Sequence, residues 1–256
     1  MAPDPIRACS FNVRLDTDED ERPWADRADA VVDILEQIDP DLLAIQEALA
    51  HQYDELRERL DWLEWHGVGR VDGEREGEFV PIAWRADRFE VLDRGQFWLS
   101  ETPDEPGSVG WDGALPRVSS WALLGLEDRR LWVCSTHFDH IGPAAREQAA
   151  ALIVERVSER VADNIPALVM GDLNSDPESA PYRTLVEGGL VDANAAVDAP
   201  SGPSNTFHGF TGTPFARIDY ILGTAGIRFT EYATKEPSTP EHRSDHLPIT
   251  ATFSLE

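Results

Sequence analysis

Six places in the 256-residue sequence set polar side chains capable of catalysis or metal binding at or near the ends of short apolar runs. Asn12 closes Ser10-Phe11-Asn12-Val13, and Glu47 follows Ile45-Gln46. His137 falls within Ser135-Thr136-His137-Phe138-Asp139-His140, and Asp172 and Asn174 follow Val169-Met170 in Gly171-Asp172-Leu173-Asn174. Asp219 stands inside Arg217-Ile218-Asp219-Tyr220-Ile221, and Asp245 and His246 belong to Ser244-Asp245-His246-Leu247-Pro248. Taken singly, a strand-end Asp or Asn commonly caps a turn, and a lone histidine is commonly a hydrogen-bonded structural residue. Asp219 differs, because an acid within an apolar strand is costly unless it is paired. The oxygen donors Glu47, Asp245 and Asp172, with Asn12 and Asn174, suit Mg²⁺ or Mn²⁺ better than zinc, which prefers Cys and His clusters. There is no CxxC, HExxH or Walker-type loop, and no GxSxG elbow, so zinc hydrolase, P-loop NTPase and serine hydrolase chemistry lack support. A hard cation, two histidines and a spare carboxylate are the parts for attack of water on a phosphoester.

The elements that must position these residues are legible as patterns. Ala8–Val13, Leu42–Gln46, Leu131–Phe138, Ala167–Gly171, Ile218–Leu222 and Ile249–Phe253 are apolar on both faces, as central strands covered on both sides require. Helical spacing of apolar residues marks Asp26–Ile38 and Ala144–Val161. A further helix is expected through Ala48–Leu60 and a short one through Ser179–Gly188. Phe79–Leu99 reads as two strands around a turn at Ala86-Asp87, and the acidic stretches Asp16–Glu21 and Glu74–Glu78 read as loops apart from Glu78. Strands outnumber helices without strict alternation, which favours a mixed-sheet sandwich with helices outside. No repeat, low-complexity segment or long linker interrupts the chain, so one domain over residues 1–256 is expected.

Composition narrows the function classes. Basic residues number 22 and acidic residues 48, a net charge of −26, and Lys235 is the one lysine. With acids spread along the chain, a solvated surface adapted to high salt is the favoured reading over an acidic face for cations or basic partners. Such charge opposes nucleic-acid binding at low salt. At molar salt the screening length falls to about 3 Å, and the objection weakens. No apolar run is long enough to span a bilayer. Met1-Ala2-Pro3-Asp4-Pro5 carries neither a basic nor an apolar leader region, so a cytoplasmic protein with no membrane or obligate protein partner is expected. Cys9 and Cys134 cannot form a disulfide framework and are expected to be small buried hydrophobes.

The ordered set Ser-Phe-Asn, Gln-Glu, Thr-His, Gly-Asp-Leu-Asn, Arg-Ile-Asp-Tyr and Ser-Asp-His, running from Asn12 to His246, resembles the endonuclease/exonuclease/phosphatase superfamily of DNase I-like metal-dependent phosphoesterases. Each motif is short, but the ordered set is specific and covers nearly the whole chain. The resemblance implies an α/β (α+β) fold, a four-layered sandwich of two mixed sheets packed face to face with helices outside. It implies a Mg²⁺ or Mn²⁺ cofactor with Glu47 as principal ligand and Asn12 and Asp245 near the same ion. Asp172 would orient or deprotonate the attacking water, and Asn174 would hold that water and a phosphate oxygen. His137 and His246 would flank the scissile phosphate, with Asp219 orienting His246. The spacing of Glu78 before the arginine-terminated strand Ile82-Ala83-Trp84-Arg85 matches the glutamate that backs the other histidine in the nuclease branch. Two His–carboxylate pairs follow, Glu78–His137 and Asp219–His246, each expected to raise its histidine's pKa. Arg117 and Arg85 are candidate phosphate-contacting arginines. Gly67–Gly73, Phe97–Pro103 and Gly110-Trp111-Asp112 resemble a prokaryotic branch. There Trp98 and Trp111 are expected either as packing or as a rim that stacks on a base or sugar ring, and His140 with Arg146 as a second anionic contact.

Branches of the superfamily differ in substrate, so resemblance fixes the reaction better than the molecule cleaved. The leading expectation is a phosphoester hydrolase acting as an endo- or exonuclease. The alternatives are a phosphatase for a small sugar or inositol phosphate and a non-catalytic phosphate-binding protein. No lysine cluster, arginine stripe or basic helix suggests a reader of duplex grooves.

Overall fold

Strands that are apolar on both faces become the centres of two six-stranded sheets. The computed structural model describes residues 4–17, 22–236 and 243–256; residues 1–3 and residues 18–21 of the first acidic stretch lie outside the described residues. In chain order the elements are β1 (Ile6–Asn12), α1 (Trp24–Ile38), β2 (Leu42–Gln46), α2 (Ala50–Arg59), β3 (Leu63–His66), β4 (Ile82–Arg85), β5 (Glu90–Trp98) and β6 (Val118–Leu126). They continue with β7 (Arg129–His137), α3 (Pro143–Ala162), β8 (Ala167–Asp172), α4 (Ala180–Glu187), β9 (Val191–Asp192), α5 (Ala193–Ala196), β10 (Asp219–Gly223), β11 (Ile227–Thr234) and β12 (Ile249–Leu255). One sheet has the order β11-β12-β1-β2-β4-β3, the other β5-β6-β7-β8-β10-β9. The two strands expected within Phe79–Leu99 are β4 and β5, but they part into different sheets instead of forming a hairpin.

Each sheet is built on one parallel pair, β1 with β2 and β7 with β8, flanked by antiparallel neighbours. A parallel pair needs a crossover of a dozen or more residues, and α1 and α3 supply these. Alternate side chains of each strand then face opposite layers. Ala8, Leu42, Ala44 and Trp84 meet Leu131, Val133, Leu168 and Met170 between the sheets. Cys9, Phe11, Leu43 and Ile45 pack under α1 and α2. Trp132, Cys134, Val169 and Tyr220 pack under α3 and α4. The result is the expected four-layered sandwich. Both cysteines are fully buried, and burial, only partly opposed by Lys235, pushes the Cys9 thiol up to about 12. Among the described residues no helix is long and apolar enough to cross a membrane.

Phe253 is fully buried between the sheets. Phe253→Ala is expected to cost about 3–5 kcal/mol through lost transfer energy and the cavity left behind. Urea unfolding would show it as a lower midpoint with an unchanged slope.

Candidate active site

Strand direction brings the chemistry to one end of both sheets. The parallel pairs end there with Asn12, Glu47, His137 and Asp172, and His137 lies in register with Asp172. The antiparallel neighbours begin there. Asp219 opens β10 opposite Asp172, and Asp245 and His246 lead into β12. Glu78 precedes β4 beside the bridge between Ala48 and Phe79. Gly171 lets β8 approach β7 closely: its φ is +150°, and a side chain there would run into the Thr136 carbonyl oxygen. Asp172 is thereby held against His137.

Glu47, Glu78, His137, Asp172, Asp245 and His246 line a cleft of about 400 Å³ that Leu115, Phe207 and Ile218 also line, with Asn12 and Asp219 bonded behind its walls. Larger surface grooves, about 880 Å³ beside α2 and β5 and about 830 Å³ along β11 and β12, gather none of them. Within the cleft the Asn12 amide donates to Glu47 Oε1 at 2.9 Å and to Asp172 Oδ2 at 3.1 Å. The Asn174 N–H donates to Asp172 Oδ1 at 2.7 Å, and its amide lies 3.1 Å from His137 Nε2. His246 Nδ1 meets Asp219 Oδ2 at 2.9 Å, and its Nε2 lies 3.7 Å from Asp172 Oδ2. Arg117 reaches His137 Nδ1 at 3.0 Å and His140 Nδ1 at 2.9 Å.

The two histidines are poised in opposite senses. Burial opposes the imidazolium of His246, but Asp219, then Asp172 and Asp245, outweigh it and raise the pKa to about 10. His137 goes the other way: burial, then the positive Arg117 and Arg70, hold it well below its ordinary value, so it is neutral. The expected raising of both is therefore corrected for His137. Asp172 is lifted to about 7 by burial and by Asp219, which leaves a carboxylate able to take a proton near neutral pH. Burial, with Glu47 nearby, also raises Asp245 against the opposing pull of His246.

Several expectations need correction. Glu78 does not hydrogen-bond His137; its Oε2 lies 3.9 Å from Nδ1, and its carboxylate is instead clasped by Arg70 through two contacts of 2.7 Å. Arg85 ends β4 at the opposite end of the strands from the cleft, beside Asp41, and pairs with Asp39 and Asp87. A strand whose start faces the cleft carries its last residue away from it. Trp98 is buried, 2% exposed, with its indole N–H donating to the Arg70 carbonyl; it is packing and cannot stack on a substrate. Trp111 is half-buried with its backbone N–H on Glu101, and neither tryptophan lines the cleft. Arg146 donates to the Asp139 carbonyl, while His140 does line the cleft. Asn12 turns its amide to Glu47 and Asp172 while its Oδ1 accepts the Arg14 N–H, so it joins the two carboxylates at the place where a cation is expected.

Sequence reasoning overlooked Arg14, Arg70 and Ser244. The Arg14 guanidinium lies 3.8 Å from Glu47 and 3.9 Å from Asp245, which shows these two carboxylates facing a common point. The Ser244 hydroxyl donates to the Asn12 carbonyl at 2.6 Å. The signal for Arg70 was its place in Gly69-Arg70, eight residues before Glu78. Ligand atoms of Glu47, His137 and Asp172 lie within 4.8 Å of one another. That group, with Asp245 close by, is rich in anionic oxygen and fits a hard divalent cation.

Arg85→Ala is expected to leave Mn²⁺ binding unchanged in a calorimetric titration, because Arg85 and its partners lie at the far end of the strands from the cleft. Loss of binding would contradict that placement.

The Endonuclease/Exonuclease/phosphatase family model matches residues 9–246. The crystal structure of an endonuclease/exonuclease/phosphatase from Bacteroides vulgatus is 34% identical, with a TM-score of 0.94, over 98% of this chain and 99% of that one. A mannosyl-6-phosphatase from Bacteroides thetaiotaomicron is 31% identical, with a TM-score of 0.91, over 98% of this chain and all of the other. The CCR4-Not complex 3'-5'-exoribonuclease subunit Ccr4 of Emericella nidulans is 23% identical, aligned over 100% of this chain and 53% of its own length. Across the curated relatives it matches, the chain spans from 36% to 92% of their length. With the match running from β1 to His246 and taking in every residue that lines the cleft, the chain belongs to the endonuclease/exonuclease/phosphatase family.

Proposed function

We propose that this chain is a divalent-metal-dependent phosphoester hydrolase whose substrate is a small phosphorylated molecule such as a sugar phosphate. One observation carries the reaction: Asp172, poised near neutral pH, shares a cleft with Asn174 and with His246, whose imidazolium is paired with Asp219 behind it. Glu47, with Asp245 beside it, would hold the cation, which supplies charge neutralisation at a phosphoryl oxygen. Asp172 takes a proton from water as the water oxygen bonds to phosphorus, and the ester oxygen leaves with the pair of electrons of the broken P–O bond. His246, kept cationic by Asp219, donates to a phosphoryl oxygen where negative charge gathers. Asn174, anchored to Asp172 and to the Phe138 carbonyl, orients water and phosphate. Arg117 and neutral His137, the latter beside Asn174, would add donors to the phosphate.

The small-molecule reading is supported by the mannosyl-6-phosphatase likeness over the whole chain, by the size of the cleft and by the net charge of −26. A nuclease is the second reading, favoured by the alignment of the exoribonuclease with the full chain. Hydrolysis of sugar phosphates, inositol phosphates, bis-p-nitrophenyl phosphate, DNA and RNA, each with Mg²⁺, Mn²⁺ or EDTA at low and molar salt, separates the two. Turnover of sugar phosphates with EDTA inhibition is expected. Cleavage of a polynucleotide alone, strongest at high salt, would replace the first reading by the second and make the acidic surface a salt adaptation.

Asp172→Asn and His246→Ala are expected to lose on the order of 10²–10³ or more in kcat while retaining the fold by circular dichroism. Full activity in either variant would overturn the assignment. Asp219→Asn is expected to lower kcat and move the alkaline limb of the pH profile downward. The sign follows from removing the carboxylate that raises His246, so the imidazolium loses its proton at lower pH.

A further inference from the structure

Arg27 lies on the first turn of α1 and is only 2% exposed. Burying a guanidinium is costly unless its donors are met. Here they are met by backbone carbonyls: Nε donates to Arg22 at 2.9 Å, Nη1 to Val13 at 2.6 Å and to Arg243 at 2.7 Å, and Nη2 to Arg14 at 3.0 Å. The rings of Trp24 and Phe210 lie 5.5 and 6.0 Å from the guanidinium carbon. These carbonyls belong to three segments: the exit of β1, which carries Asn12 and Arg14; the approach to α1; and the approach to β12, which carries Asp245 and His246.

Gln52, fully buried, acts from the other side. Its amide donates to the same Arg14 carbonyl at 3.0 Å. Its Oε1 accepts the backbone N–H groups of Asp16 at 2.9 Å and Leu49 at 3.0 Å, which ties the exit of β1 to the segment that follows Glu47. The shared Arg14 residue is left-handed, with φ +59°, a conformation that needs support at a non-glycine position.

We propose that Arg27, with Gln52 opposite, is the positioning residue for the divalent cation. Together they fix the Asp245 segment and the Glu47 segment to one turn, so that the two carboxylates face a common point. The inference rests on the metal-dependent reading above. Neither residue touches the carboxylates; each acts through main chain. The role requires arginine, because a planar fork of five donors spans four carbonyls, whereas lysine places three donors on one atom.

The test is Mn²⁺ binding to the full chain without substrate, by calorimetry well below the melting transition. Arg27→Lys is expected to weaken binding 10–100-fold, in the range that outer-lying partners of metal ligands command, with the far-ultraviolet dichroism unchanged. Gln52→Met is expected to weaken it in the same direction. Val157→Ala, which loosens buried packing of α3 remote from these segments, is the stability control and is expected to bind as the unaltered protein does. Unchanged Mn²⁺ affinity in folded Arg27→Lys overturns the inference while leaving the metal-dependent reading standing. If Arg27→Lys fails to fold, Gln52→Met decides in the same way. An equal loss of affinity in Val157→Ala would mean that general stability sets cation binding, and would also overturn it. An unaltered protein that binds no Mn²⁺ overturns both readings together.

Discussion

Five carboxylates, Glu47, Glu78, Asp172, Asp219 and Asp245, converge at one end of the two sheets, and four of them are buried. Like charges about 4 Å apart repel by about 4 kcal/mol at the effective dielectric of a protein surface, and burial removes the water that would soften this. Most of the surrounding construction answers that repulsion. Arg70 clasps Glu78, His246 takes its proton beside Asp219, and Arg14 stands between Glu47 and Asp245. Asn12 adds an N–H for Glu47 and another for Asp172. What is left over is a raised affinity for protons at Asp172 and Asp245, the same imbalance that favours a bound cation.

The same crowding explains why two histidines a few ångströms from one carboxylate behave differently. His246 faces Asp219 directly, with Asp172 and Asp245 adding negative charge, so the local field favours its charged form. His137 is walled by Arg117, which interposes positive charge before Glu78 can act. Groups whose environments drive their pKa values apart are the usual means by which one site holds both an acid and a base near neutral pH. A pairing drawn from spacing alone could place Glu78 near His137, but it could not reveal the arginines that change the sign.

The sequence was most informative where periodicity and burial agree. The doubly apolar runs became β1, β2, β7, β8, β10 and β12 to within two residues at each boundary, and α1 and α3 fell where apolar spacing put them. Edge strands are harder: β11, Ile-Arg-Phe-Thr-Glu-Tyr-Ala-Thr, breaks its apolar–polar alternation at a bulge between Phe229 and Glu231, which hides the strand in the sequence. The cleft was legible because strand ends concentrate in one place once strand direction is known. Its supporting arginines were not, since their contacts depend on tertiary approach: Arg27 and Arg243 are 216 residues apart in sequence. Trp98 misled because an aromatic beside a glycine-rich loop can serve as core or rim, and only the fold sealed it beneath Arg70.

Arg14, Glu47 and Asn174 all have positive φ at the rim of the cleft, at 59°, 65° and 46°. Such conformations cost of order 1–3 kcal/mol each at non-glycine positions and persist only where neighbours over-determine them. The neighbours here are one another's supports. The Asn174 N–H is held by Asp172, Glu47 accepts from Asn12 and from the Leu15 N–H, and the Arg14 carbonyl is gripped by Arg27 and Gln52. Glu47 and Asn174 are thus fixed by side chains at strand ends, and Arg14 by side chains of α1 and α2. The cleft behaves as a single bonded unit across both sheets. The stability of the sandwich core maintains a strained arrangement that the loops could not sustain alone.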